Sequence, residues 1–177
     1  RQEYRGAVDA FVSPQGTPPP NGWPADQRFW TYNGRAPSAG NMTIDKPGTA
    51  LRTWGWIGWR YRVELWMAWE GLYYTDRYNG AGERTDLGTE PITYDERRRG
   101  RAEYGNGDGV LVYPGPWPSL RLKALRRGLQ DRLLLAELAR CGARGRARAD
   151  HHSEALVPRA LGQARGRQSW PDGELPW

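Results

Sequence analysis

Between Trp54 and Tyr74 the chain sets five of its ten Trp and three of its nine Tyr beside two carboxylates, Glu64 and Glu70. Rings and carboxylates together suit one kind of ligand. The apolar C–H face of a pyranose lies flat on an indole or phenol while carboxylates and amides take its hydroxyls. A neutral, hydroxylated molecule is therefore the first expectation. The plainer reading is that most of these rings are core residues of one helix and one strand, since large aromatics supply much of any core's buried area. Other reactive side chains add little. Cys141 is the sole cysteine, so no intrachain disulfide can form. His151 and His152 are neighbours without a third ligand at metal spacing, and neither a metal nor a cofactor is expected.

Basic side chains outnumber acidic ones by 26 to 20, a formal net charge of +6, and the only lysines are Lys46 and Lys123. The charge is not gathered into one place. Arg97, Arg98, Arg99 and Arg101 form one dense run and Arg144, Arg146 and Arg148 another. Each lies in a Gly-containing segment without apolar period, which reads as a solvated loop, so nucleic acid is not expected as a partner. No apolar run approaches the roughly 18 residues of a membrane span. A length of 177 residues with 38% apolar content suits one domain plus a tail.

The elements that must position the aromatic stretch follow from period and punctuation. Residues 7–12 read as a short buried strand closed by the Pro/Gly-rich segment 13–24, and residues 28–32 as a second strand ending at Asn33-Gly34. From Pro47 the spacing turns helical, with Leu51, Trp54, Gly58 and Tyr61 on one stripe and Ile57 beside it. Residues 63–69 form a third strand, apolar on both faces apart from Glu64, as in a parallel sheet covered on two sides. Strand, helix and strand make a βαβ unit, whose active groups gather beyond the carboxyl ends of the strands. Tyr32-Asn33 and Trp69-Glu70 then share one rim.

Residues 75–107 exceed the ~12–15 residues usual for a structureless connection and read as a lid or insertion. A small strand at 110–113 stands between turn signals. Ser119 caps a long helix to about residue 140, with Leu122, Leu125, Leu129, Leu133 and Ala136 as its buried stripe and Gly142 at its end. Residues 143–177 are Arg-rich and broken by Pro158, Pro171 and Pro176, which suggests a loose tail with at most one helical turn near Ser153 to Val157. The expected division is a partial β/α domain over 1–140 and a tail over 141–177.

Several motifs in order carry a resemblance. Asn33-Gly34-Arg35-Ala36-Pro37, Asp45 with Gly48, Ala50-Leu51-Arg52, and Trp66 to Glu70 with Tyr73-Tyr74 and Asp76 open the series. Gly107-Asp108-Gly109-Val110-Leu111, Tyr113-Pro114-Gly115, Ser119 to Lys123 and Arg126 to Asp131 complete it. Over about Val8 to Leu138 the chain resembles the bacterial domain of unknown function 4091, which is itself similar to the catalytic region of glycoside hydrolase family 123. The resemblance implies an α/β fold, the C-terminal part of a (β/α)8 TIM-like barrel with about three strands here. It also implies an N-acetylated hexosamine glycan as substrate, whose own acetamido group attacks the anomeric carbon. Such a reaction needs one carboxyl group to orient the acetamide and a second, raised in pKa, to protonate the leaving oxygen.

The family's acid pair is an adjacent Asp-Glu on an earlier barrel strand. It is expected upstream of Arg1 with the N-terminal part of the barrel, and the isolated chain is expected to be inactive. Asp95-Glu96 has the right order but sits in a basic loop with no strand before it, unlike a shielded general acid. Asp108 reads as a turn former, Arg52 and Asp45 as braces before the helix, and Lys123, Arg126 and Arg127 as a solvated face.

By position, Tyr32, Asn33, Trp66, Trp69, Glu70 and Tyr73 are the substrate-binding candidates, through stacking and hydroxyl capture. Strict alternation cannot point both Trp69 and Glu70 inward along one strand. The family also favours an extracellular or periplasmic location. Two alternatives stand beside this reading: a non-enzymatic carbohydrate-binding module, or a truncated inactive fragment whose open barrel edges associate.

Overall fold

Regular structure starts where apolar and β-branched residues take over from Gly and Pro. The computed structural model describes residues 7–14, 28–34, 39–44, 46–74, 77–78, 84–85, 107 and 109–157. Three strands, β1 (Ala10–Pro14), β2 (Arg28–Tyr32) and β3 (Leu65–Met67), form one parallel sheet in the order β1-β2-β3. Three rows cross it in register, Val12–Trp30–Leu65, Ser13–Thr31–Trp66 and Pro14–Tyr32–Met67. β2 matches the expected segment, whereas β3 is shorter. Val63 is buried but its N–H donates to Gly58 O (2.9 Å), so it closes the preceding helix instead of joining the ladder.

A 3-10 turn (Gly48–Arg52) runs into α1 (Thr53–Arg60), the crossover between β2 and β3. Pro47 precedes the turn, where its missing N–H costs least. Leu51, Trp54, Ile57 and Gly58 are buried as the stripe requires, and Tyr61 is half-buried. They pack with Phe29, Met42, Val63, Leu111, Leu156 and Val157 into one core on one face of the sheet.

The other face has no such cover, which corrects the expectation of a strand buried on both sides. Alternation puts Phe29 and Thr31 of β2 on the core side, 4% and 0% exposed. Trp30 and Tyr32 must point the opposite way, beside their register partners Leu65 and Met67, which are 40% and 38% exposed; Val12, in the same row as Trp30, is 48% exposed. The described residues thus make an open α/β sheet with two free edges.

α2 (Leu120–Arg140) begins at Ser119, whose side chain accepts from Leu122 N–H at 3.1 Å. Its buried stripe is the expected row only in part: Leu122 and Leu125 pack half-buried against the core and Ala136 is half-buried, but the fully buried positions are others. Arg121, Gly128, Asp131 and Leu135 are buried, while Leu129 and Leu133 are 51% and 64% exposed. The helix is turned by polar and steric fit. Asp131 Oδ2 accepts from Arg52 Nε (2.5 Å) and Trp56 Nε1 (3.0 Å), and Oδ1 accepts from Arg52 Nη2 (2.9 Å). Gly128 lets α2 approach so closely that a Cβ there would stand 2.3 Å from Arg52 O. Buried Arg121 donates to the carbonyls of Met42, Gly107 and Val110, fixing the start of α2 to the loops beneath it.

A third helix, α3 (Ala143–Leu156), stands where at most one helical turn near Ser153 to Val157 is expected, and it packs on α2 and α1; the rest of the expected tail, 158–177, lies outside the described residues. Its buried residues, Gly145, Ala149, Ser153 and Leu156, are helically spaced but small. A Cβ on Gly145 would lie 2.1 Å from Leu138 O, so close approach substitutes for apolar bulk. Two short antiparallel pairs complete the description, β4 (Arg77–Tyr78) with β5 (Arg84–Thr85) and β6 (Val112–Tyr113) with β7 (Trp117–Pro118).

Candidate functional site

Asn33, one residue past β2, organises the carboxyl rim. It adopts the left-handed backbone conformation (φ 48°), which Asn tolerates better than most side chains. Its N–H donates to Met67 O (2.9 Å) and its carbonyl accepts from Trp66 Nε1 (2.8 Å). Its side-chain amide grips one residue twice: Nδ2 donates to Trp69 O and Oδ1 accepts from Trp69 N–H, both at 2.6 Å. With Trp69 N–H taken by Asn33, the ladder stops at Met67 and the alternation rule no longer governs Trp69 and Glu70.

The candidate residues therefore divide. Asn33, Trp66 and Trp69 are brought together by hydrogen bonds, but only Trp69 presents its ring, at 63% exposed. Trp66 stacks on Trp54 at 4.7 Å between centroids and 11° between planes, on the core side of the sheet. Trp54 in turn donates Nε1–H to Gly40 O (2.8 Å). Trp66 is thus a wall behind the rim. Tyr32 lies on the uncovered face next to Met67, and Glu70 is half-buried directly after Trp69. Tyr73 is carried further off, its N–H donating to Gly109 O (3.0 Å), in a segment where Leu111 and Val112 N–H groups both reach Gly71 O.

Among the described residues following β2 and β3 on this rim, the carboxylate is Glu70. Asp45, Asp95, Glu96 and Asp108 lie outside the described residues. Arg52 is a brace, through its two bonds to Asp131, and Lys123, Arg126 and Arg127 are exposed. No group of three His, Cys, Asp or Glu side chains among the described residues could hold a metal ion, and no described helix is long and apolar enough to cross a membrane.

Reasoning from sequence passed over the opposite rim. Gly58, Trp59, Arg60, Arg62, Glu64, Arg132 and residues of α3 line a cleft of about 660 Å³ there. Its arginines are scattered along the chain and meet only because α1, α2 and α3 pack together, so no local motif announces them.

Parallel strands joined through a helix, with ring and carboxylate side chains beyond their carboxyl ends, are the arrangement of an α/β catalytic domain. Residues 20–138 match the family described as glycoside hydrolase 123, catalytic domain, and the chain belongs to that family. Its function is accordingly glycoside hydrolase-like, with carbohydrate as the substrate class. No curated protein matches the chain.

Proposed function

We propose that this chain supplies the sugar-binding rim of an N-acetylhexosaminidase-type site in a (β/α)8 barrel, and that the acid pair of the substrate-assisted reaction belongs to strands other than the three described. The observation that carries the reading is the grip of Asn33 on Trp69. An exposed tryptophan whose backbone N–H and C=O are both held has its main chain positioned before any ligand arrives, which lowers the ordering cost of binding. Trp69 gives a face for stacking a pyranose, and Glu70 beside it an acceptor for hydroxyls. The uncovered face with Trp30, Tyr32, Leu65 and Met67 supports the barrel part of the reading, since a parallel sheet is ordinarily covered on both sides. The same reading places the protein outside the cytoplasm, where glycans are met.

Titration with N-acetylglucosamine, N-acetylgalactosamine and their short oligomers should change Trp fluorescence saturably. Trp69→Ala should weaken binding roughly ten-fold, about 1.4 kcal/mol, while leaving stability within about 0.5 kcal/mol. A flat response across the panel would remove the rim as a sugar site. The chain alone should release no phenol from an aryl N-acetylhexosaminide; clear release would place the acid pair within these residues.

A further inference from the structure

The cleft at the amino end of β3 is a separate feature. Glu64 precedes that strand and Trp69 follows it, so the two rims are roughly 16 Å apart at about 3.3 Å per residue. Four arginines meet in the cleft: Arg60 at the end of α1, Arg62 in the turn after it, Arg132 midway along α2, and Arg146 on α3. Family similarity ends at residue 138, so Arg146 and the rest of α3 add to this chain something outside the matched region.

Three carboxylates share the cleft, and two of them have other partners. Asp150 accepts from Trp59 Nε1–H (3.1 Å), and Glu64 faces Arg28 at 3.6 Å on an exposed surface. The third, Glu154, offers its backbone carbonyl to Arg60 (3.2 Å). Arg132, Arg62 and Arg146 have no hydrogen-bond acceptor among the described residues. Arg132 lies in contact range of Gly58, is half-buried, and has its pKa lowered by desolvation, an effect opposed by Glu64. Arg62 sits in the left-handed backbone region (φ 53°), which a long side chain rarely adopts. Arg146 is laid on the ring of Trp59 at 5.1 Å, a stacked and pre-set guanidinium.

Guanidinium forks with unspent donors around one hollow match a tetrahedral oxyanion, which each can take through paired N–H···O bonds. The hollow is larger than one such ion and has the size of a small-ligand site. We propose that this cleft binds the phosphate or sulfate ester group of a small molecule, with Arg132, Arg62 and Arg146 as its ligands and Trp59 as its wall. The proposal is independent of the sugar rim, because none of its residues belongs to that rim.

Calorimetry at low salt on the full chain, with inorganic phosphate, inorganic sulfate, glycerol 3-phosphate and glycerol 3-sulfate, tests it. Saturable binding of at least one ester is expected, tighter than that of the bare ion, and the preferred ester separates the two sources. Arg132→Gln and, separately, Arg146→Gln should each weaken it ten-fold or more, and Lys123→Ala, at an exposed position of α2 outside the cleft, should leave it unchanged. Arg146 is exposed, so its variant keeps the test valid if Arg132→Gln fails to fold. Absence of saturable heat with all four probes, or binding indifferent to Arg146→Gln, overturns the assignment.

Discussion

The two faces of the parallel sheet are finished to different degrees. On the helix side Phe29 and Thr31 are sealed, Trp54 and Trp66 are stacked, and buried polar groups have partners: Trp54 Nε1 on Gly40 O, Asp131 on Arg52 and Trp56. On the other side Val12, Leu65 and Met67 stand about two-fifths to one-half exposed, in register with Trp30 and Tyr32. Burial is what makes a side chain matter for stability. The difference therefore says that this chain's own stability resides on one face, leaving the opposite face and the carboxyl rim for interaction.

The strongest way to break that contrast is to attack the finished face at Asp131. Asp131 is 5% exposed, and its removal takes two charge-assisted hydrogen bonds from the Arg52 guanidinium, itself largely covered. Losing one partner of a buried ion pair costs roughly 3–5 kcal/mol, a large share of a domain's usual total. Asp131→Ala should accordingly lower the urea midpoint steeply or prevent folding, and Asp131→Asn, which keeps an acceptor oxygen, should cost less. A midpoint unchanged by Asp131→Ala would show that the α2 contact with the 3-10 turn does not hold the sheet's covered face.

Much of that finished face was legible in the residues, and its exceptions are instructive. Residues 28–32 were bounded by a charge at one end and Asn33-Gly34 at the other, so β2 could be read directly. The α1 stripe was likewise visible, because Leu51, Trp54 and Ile57 are apolar at helical spacing. α3 was hidden by composition: its buried positions are Gly145, Ala149, Ser153 and Leu156, and an Ala/Arg sequence with good helix propensity resembles a basic loop when bulk apolar residues are sought. α2 misled in the opposite way. Its leucines advertise a face, yet Leu129 and Leu133 are exposed, since Gly128 and Asp131 offer a closer fit to Arg52. At the rim, sequence placed Asn33 and Trp69 together but not the manner of their joining. Hydrogen bonds between residues 36 positions apart have no local signature.

The middle case is that joining. Asn33 lies at the boundary of the two regions, spending its amide on Trp69 in an exposed setting, so the net worth to stability is modest, about 1 kcal/mol. Its larger effect should be on binding. Asn33→Ala is expected to weaken N-acetylhexosamine binding several-fold and to increase the mobility of the Trp69 indole, read as faster decay of its fluorescence anisotropy. Asn33→Asp keeps the acceptor for Trp69 N–H and loses the donor to Trp69 O, so it should fall between Ala and the natural residue. Equal affinity in all three would mean that Trp69 is oriented by something else.

The smallest change in stability should come from the unfinished face, and that smallness is the test. Leu65 and Met67 are exposed neighbours of Trp30 and Tyr32, and replacing both with Thr keeps strand propensity while removing apolar surface from water. If this face is uncovered in the isolated chain, the double substitution should move stability by no more than about 0.5 kcal/mol. It should also reduce self-association, seen as a lower weight-average mass in sedimentation equilibrium at high concentration, because free strand edges beside an apolar face favour contact between copies. A melting temperature lowered by many degrees would mean that these side chains are buried in solution. The two faces would then be equally complete, and a site relying on the open one would have no room.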